Sequence, residues 1–379
     1  MFQLDKCIST IYNQKGKVKQ ILMYINLYLK GVLNMRLLKP QKLNRGDTVA
    51  TVSLSWGGAG DENLLWRYNL GKERLQKQFG LNVVEMPNTL KGSSYLYNHP
   101  EKRAEDLMDA FSDQSIKAVF SCIGGDESIR MLPYINYDVI RKNPKIFIGY
   151  SDTTITHLIC YKAGISSFYG ASVLAELAEN NKIYDYTVHW LKSVLFSGQI
   201  IGNIPACEQW TGERIEWSIE NSQVSKRLER NRGYEFLQGD SIVQGHLFGG
   251  CMEVLEMAKG TNLWPNNETL KDSILFFETS ENTTDPTYIE YWLRNYGSQG
   301  ILQNARALIF GKPYQEKFYD EYKVSIKKVI AELNLHDLSI IYNMTFGHNE
   351  PMCVLPYGAM AEVDCSNKTF TILESGTCV

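Results

Sequence analysis

The chain has 379 residues, with Lys+Arg 39 against Asp+Glu 42 and a formal net charge of −3. No basic cluster or stripe stands out, which argues against a nucleic-acid surface. With 44% hydrophobic residues the chain can bury sizeable cores, and at roughly 150 residues per domain its length suggests two domains.

Residues 1–34 read as an upstream extension outside the fold. Lys15 to Lys19 are basic, and residues 21–33 are largely apolar but interrupted by Asn26 and Lys30. That stretch is too short to span a bilayer, and no small-residue cleavage site follows it. Met35-Arg36-Leu37-Leu38-Lys39-Pro40 looks like a natural domain start, so the expectation is a cytoplasmic protein without a membrane partner.

From Asp47 the chain alternates. A strand is predicted over 48–53, a helix over 61–79 stopped by Gly80, a strand over 81–86, a helix over 100–112, and strands over 116–123 and 145–149. Strands alternating with helices predict a parallel sheet covered on both faces, a flavodoxin- or Rossmann-like domain over residues 35–190. Residues 191–240 break the rhythm with Ser197-Gly198, Trp210, Trp217 and a charged run over 226–232, and they read as a linker or substrate loop. A second, mixed α/β domain with a small β-rich part follows over 241–379. Its predicted strands cover 243–248, 273–277, 307–310 and 339–342, its helices 252–258, 288–296 and 320–333. The tail over 361–373 alternates like a β-hairpin.

The eight cysteines and six histidines are scattered without CxxC, HExxH or any metal-cage spacing, so the thiols read as reduced and mostly buried, and a metal site is not expected. The most informative stretch is Gly124-Gly125-Asp126-Glu127-Ser128, where a buried strand ends in two glycines and a serine stands at a possible helix start. Such a turn can lift a hydroxyl out of the chain beside free backbone N–H groups, making Ser128 a candidate nucleophile. A helix N-cap is the other reading of the same serine. No glycine follows Ser128, so the segment is not the Gly-x-Ser-x-Gly elbow of α/β hydrolases. Gly124 to Glu127 also matches the first four residues of the Gly-Gly-Asp-Glu-Phe signature of diguanylate cyclases, but Ser replaces the Phe and a helix follows.

A serine nucleophile needs a base and an orienting carboxylate. His348 lies in a loop, Met344-Thr345-Phe346-Gly347-His348-Asn349-Glu350-Pro351, of the kind that carries function. His157, on the helix after Asp152, reads as structural. Glu278 ends the apolar run Ser273-Ile274-Leu275-Phe276-Phe277, at the strand end where open α/β sheets keep their sites; a turn carboxylate is the alternative.

Taken together, these segments resemble the LD-carboxypeptidase family of serine peptidases, which includes the microcin C self-immunity proteins. The resemblance runs from about Leu38 to Val379. Its ordered landmarks are Pro40 to Asp47, Gly124 to Tyr134, Phe147-Ile148-Gly149-Tyr150-Ser151-Asp152-Thr153-Thr154, Gly245 to Gly250, the Glu278 segment, and Phe346-Gly347-His348 with Leu355-Pro356-Tyr357-Gly358. The resemblance implies a Ser128–His348–Glu278 triad, an oxyanion hole of main-chain N–H groups placed on Gly125 and Ile129, an acyl-enzyme, no cofactor, and a homodimer. It also implies a small peptide, muropeptide or peptidyl-nucleotide as substrate. Phe277-Glu278-Thr279-Ser280-Glu281 looks more like the self-immunity branch than the branch that trims peptidoglycan tetrapeptides. In that branch tryptophans can stack on a base, which makes Trp210 and Trp217 candidates for substrate binding, with packing as the alternative. A non-catalytic peptide-binding or resistance protein is the rival of another class.

Overall fold

The computed structural model describes residues 37–379; the extension expected over 1–34 lies outside the described residues. Five strands open the fold: β1 (Thr48–Val52), β2 (Asn82–Glu85), β3 (Ile116–Ser121), β4 (Ile146–Gly149) and β5 (Phe168–Tyr169). The short strands β6 (Gly202–Asn203), β7 (Gln209–Trp210), β8 (Glu229–Arg230) and β9 (Glu235–Gln238) follow. Then come β10 (Ile242–Cys251), β11 (Ser273–Glu278), β12 (Ala307–Gly311), β13 (Ser339–Met344), β14 (Leu355–Pro356), β15 (Met360–Asp364) and β16 (Thr369–Ile372).

The first sheet has the order β14-β5-β4-β3-β1-β2. Its β1 to β5 strands are parallel, as the βα alternation predicts, and run 2-1-3-4-5, which of the two expected fold types is the flavodoxin-like order. Every residue of β4 is buried, as a sheet covered on both faces requires. In this order the connections from β1 and β3 leave in opposite directions, so the carboxyl ends of those two strands open a crevice. The turn after β1 (Ser53 to Trp56) and the glycine pair after β3 both arrive there, and they are joined by the Trp56 N–H donating to the Gly124 carbonyl at 3.0 Å.

The second sheet is mixed, ordered β6-β16-β15-β10-β11-β12-β13-β9, with a parallel centre of β10 to β13. All residues of β11, β12 and β13 are buried, and the predicted tail hairpin forms as β15 against β16. Residues 191–240 supply both edge strands of this sheet, β6 and β9, and the small β7–β8 hairpin. An aromatic seam joins the two sheets. Tyr357 stacks on His157 with centroids 4.8 Å apart, and Phe276 of β11 lies 5.2 Å from Tyr357 and 5.5 Å from Tyr169 of β5. No helix among the described residues is long and apolar enough to cross a membrane.

Candidate active site

Glu278, the last residue of β11, is buried, with its two carboxylate oxygens separately engaged. Oε1 accepts the Tyr169 hydroxyl at 2.5 Å, and Oε2 faces His348 Nδ1 at 2.6 Å. Burial first, and then the neighbouring Glu278 charge, push the Tyr169 phenol well above its usual range, so it stays a donor. The carboxylate therefore fixes the Nδ1–H tautomer of His348 and leaves Nε2 to work. His348 follows β13 in the loop that the sequence singled out, and its side chain is 7% exposed.

Gly347 makes this approach possible. Its φ is +99°, and a Cβ there would lie 2.9 Å from both Cβ and Oε2 of Glu278. Gly347→Ala is expected to displace Glu278 or the loop and to cost about 1–3 kcal/mol of local strain. Activity should fall far more than the melting temperature, which assays of the purified variant beside a thermal melt would check.

On the far side of the imidazole, Nε2 lies 3.0 Å from the hydroxyl of Ser151, not Ser128. The structure thus brings together Glu278 and His348 of the three expected residues, and sets Ser151 rather than Ser128 beside the imidazole. Ser128 is fully buried, its Oγ donates to the Asp152 carbonyl at 2.7 Å, and its N–H donates to Asp152 Oδ2 at 2.8 Å. It begins a 3₁₀ helix (Ser128–Tyr134) and ties the turn after β3 to the turn after β4. Its hydroxyl is spent on that tie.

Ser151 sits where strand β4 turns sharply into the helix Thr154–Ala163. Its φ is +62°, a left-handed backbone uncommon for a serine, and that conformation projects the hydroxyl above the sheet edge. Several contacts hold the turn. Ser151 N–H donates to Tyr169 Oη at 3.2 Å, and Thr153 Oγ1 donates to the Tyr150 carbonyl at 2.7 Å. A Cβ on Gly149 would lie 2.8 Å from Thr153 Oγ1, so a glycine is needed there. His157, structural as expected, is pushed down to about 3 by burial and is thus neutral; its Nε2 faces the Gly149 carbonyl at 2.9 Å and its Nδ1 faces Ser167 Oγ at 2.9 Å. The signal for Ser151 was present in the sequence as Gly149-Tyr150-Ser151 between a strand and a helix, the first half of the elbow pattern with Thr153 in place of its last glycine.

The glycine turn still matters. A Cβ on Gly124 would lie 3.0 Å from Ser151 Oγ and 3.3 Å from Asp152 N, so this backbone passes directly against the serine. Gly125 has φ +140° and, with Ser55 Oγ only 2.4 Å from where its Cβ would be, admits no side chain. Gly125 borders the cavity, whereas Ile129, expected beside it, lies inside the 3₁₀ helix and packs on the core.

The cavity in front of Ser151 and His348 has a volume of about 480 Å³. The loop Thr211 to Trp217 forms one wall, held by Thr211 paired with Glu350 through two backbone bonds of 2.7 and 3.0 Å. Behind it the Lys226 ammonium bridges Glu179 at 2.7 Å and Glu350 at 2.5 Å, and burial pushes the Glu350 carboxyl up to about 8. Trp217 borders the cavity with its ring over the Arg67 guanidinium at 4.3 Å. Trp210 does not: it is buried under Lys312 Nζ, 4.1 Å from its ring centroid, and serves packing. Among the described residues no group of three or more His, Cys, Asp or Glu could hold a metal ion.

A strand-turn-helix serine, an imidazole and a buried carboxylate, contributed by two sheets, thus meet at one cavity. Residues 49–170 match the LD-carboxypeptidase N-terminal domain and residues 244–363 the LD-carboxypeptidase C-terminal domain, and the chain belongs to that family. Among its relatives, an MccF-like protein from Streptococcus pneumoniae, solved in complex with AMP, superposes with a TM-score of 0.80 at 34% identity, over 86% of this chain and 98% of that one. The microcin C7 self-immunity protein MccF of Escherichia coli is 28% identical over 312 residues, 81% of this chain and 88% of MccF. A structure of MccF with aspartyl sulfamoyl adenosine gives a TM-score of 0.78 at 26% identity, covering 90% of this chain and 99% of that one. A probable murein peptide carboxypeptidase of Bacillus subtilis is 26% identical over 357 residues, 92% of this chain and 98% of its own length.

Proposed function

We propose that the protein is a serine-type carboxypeptidase that hydrolyses the C-terminal amide of a small peptide or peptidyl-nucleotide conjugate, with Ser151 as nucleophile, His348 as general base then acid, and Glu278 orienting the imidazole. The observation that carries this reading is the continuous chain Ser151 Oγ, His348 Nε2, His348 Nδ1, Glu278 Oε2, with links of 3.0 and 2.6 Å on either side of the ring. As Ser151 attacks the carbonyl, its proton passes to Nε2, and the charge that forms on the ring is met by the buried Glu278 carboxylate. The leaving amine then takes that proton. A water activated by the same nitrogen attacks the acyl-enzyme and returns the serine.

The tetrahedral oxyanion would be met by the Asp152 N–H, next after the nucleophile, and by that of Gly125. Supporting this are the close approach of the glycine turn to Ser151 and the positive end of the helix Thr154–Ala163 beneath it. One such donor is typically worth about 3–4 kcal/mol in the transition state.

Two things favour a peptidyl-nucleotide. MccF and the pneumococcal MccF-like protein are solved with an aspartyl sulfamoyl adenosine and with AMP, and here Trp217 borders the cavity with an aromatic face that a base could use. Trimming of a murein tetrapeptide is the second reading, favoured by the similarity to the Bacillus murein peptide carboxypeptidase. The test is mass spectrometry of products after incubation with an aspartyl-nucleotide conjugate joined through an amide and, separately, with a muropeptide tetrapeptide. Release of the nucleotide-bearing amine from the first, abolished in Ser151→Ala, is the expected result. Loss of terminal D-alanine from the second alone would shift the assignment to the murein branch. Binding of either compound with no product would favour a sequestering protein.

A further inference from the structure

A second cavity of about 960 Å³, against about 480 Å³ for the catalytic one, holds none of the three catalytic groups. The two cavities are parts of one trough. Three stretches of chain run from the wall of the catalytic cavity into the wall of the second: Glu176 to Asn180, Thr211 back to Gln209, and Glu350 to Pro351. Lys226 stands at the join and borders both. Two of its three ammonium N–H groups are taken by Glu179 and Glu350, at 2.7 and 2.5 Å, which leaves one for a carbonyl that passes there.

The second cavity is furnished for an uncharged chain. Tyr184, Tyr186 and Trp190 give it aromatic walls. Trp190 is 4% exposed, and its buried indole N–H has no partner among the described residues. The side-chain amides of Asn203 and Gln209, on the same wall, make no hydrogen bond either. An indole N–H donates and an amide both donates and accepts, as the C=O and N–H groups of a peptide require. The cations here are already matched: Lys182 pairs with Asp185 at 2.9 Å and Lys226 with its two carboxylates, so neither is free for a phosphate. The catalytic cavity differs. Arg214 borders it and makes no side-chain hydrogen bond among the described residues, its charge acting on Glu281. An anionic leaving group is therefore met in the catalytic cavity and a peptide in the second. Cleavage of a C-terminal amide limits the leaving side to one unit, whereas the acyl side has no fixed length and needs the larger space.

We propose that the second cavity is the subsite for the peptide on the acyl side of the attacked amide, entered past Lys226. It makes the enzyme prefer conjugates that carry several residues upstream of the attacked carbonyl, held by main-chain hydrogen bonds and aromatic contacts. This deepens the reading given above and rests on it.

The test pairs an aspartyl-nucleotide conjugate joined through an amide with a tetrapeptidyl one that ends in the same aspartate and adds uncharged residues before it. Binding is measured by calorimetry in Ser151→Ala, turnover with Ser151 intact, each with and without Ala206→Trp or Gln209→Ala. Ala206→Trp puts a large ring into the second cavity, and Gln209→Ala removes an exposed amide that bonds to nothing in the chain. The longer conjugate should bind about tenfold or more tighter, as one or two added hydrogen bonds would give. Its advantage in turnover should lie in KM rather than kcat. Ala206→Trp should abolish the advantage, and Gln209→Ala should cut it by about threefold or more. The ratio between the two substrates is the readout, which discounts any loss of folded protein. Equal binding of both conjugates in the absence of these changes overturns the inference. So does a length preference that survives Ala206→Trp in a protein of unchanged melting temperature. Should that variant melt early, Gln209→Ala decides, and an unaltered ratio there overturns the inference equally. Failure of the reading beneath it looks different: Ser151→Ala would then still release product, while the length preference in binding stands or falls by itself.

Discussion

Ser151→Ala should lower kcat by at least about 10⁴-fold, the scale on which a nucleophile that works as one unit with its base is lost. The fold should tolerate the change. The Ser151 hydroxyl borders a cavity and bonds only to His348, so its loss strands no buried partner, and alanine keeps the backbone of the turn. The informative comparison is Ser128→Ala. There the hydroxyl is buried and bonded to the Asp152 carbonyl, so stability should drop by about 1–3 kcal/mol while turnover stays within about tenfold of wild type. Steady-state kinetics and thermal melts on the two variants separate the serines cleanly. A catalytically dead, fully stable Ser128→Ala beside an active Ser151→Ala would reverse their roles.

Glu278→Gln is the second large effect, expected at about 10³–10⁴-fold in kcat, since an amide cannot hold the imidazole as the carboxylate does. The Tyr169 oxygen already takes the Ser151 N–H, and its own proton points to Glu278 Oε1. If the Gln carbonyl takes that proton, its NH₂ faces His348 Nδ1, the ring proton moves to Nε2, and the base is lost. The pH profile gives a second readout. Removing a neighbouring anion makes the imidazole less basic, so the acidic limb of the residual activity should move to lower pH. A Glu278→Gln enzyme with normal kcat would show that the carboxylate does not set the tautomer.

Much of the architecture could be read from periodicity alone. Helix Pro100–Ser112 and strands β1, β3, β11 and β13 lie where the apolar patterns put them, because long buried strands and amphipathic helices leave strong regular signals. Strands β5 and β14 are two residues each, too short to carry a pattern, yet they complete the first sheet and seat Tyr169 under both Ser151 and Glu278. In the site, Glu278 and His348 were visible from their places at a strand end and in a Gly/Pro-flanked loop. Ser128 drew attention because two glycines precede it, but those glycines serve a neighbour: they let the backbone pass against Ser151 on the next strand over. Proximity across strands is invisible to spacing along a chain. Glu281 was quoted only as part of a motif, and the contact of its Oε2 with His348 Nε2 at 3.1 Å depends on how Glu253 folds the loop.

The first sheet is not closed by its own half of the chain. Its outermost strand, Leu355–Pro356 laid antiparallel on Phe168–Tyr169, comes from within the final 25 residues. The tyrosine that props the serine-bearing turn is thus flanked by a strand drawn from the other sheet's half of the chain. A fragment cut off before that strand would keep the turn but lose the neighbour that covers one side of its prop.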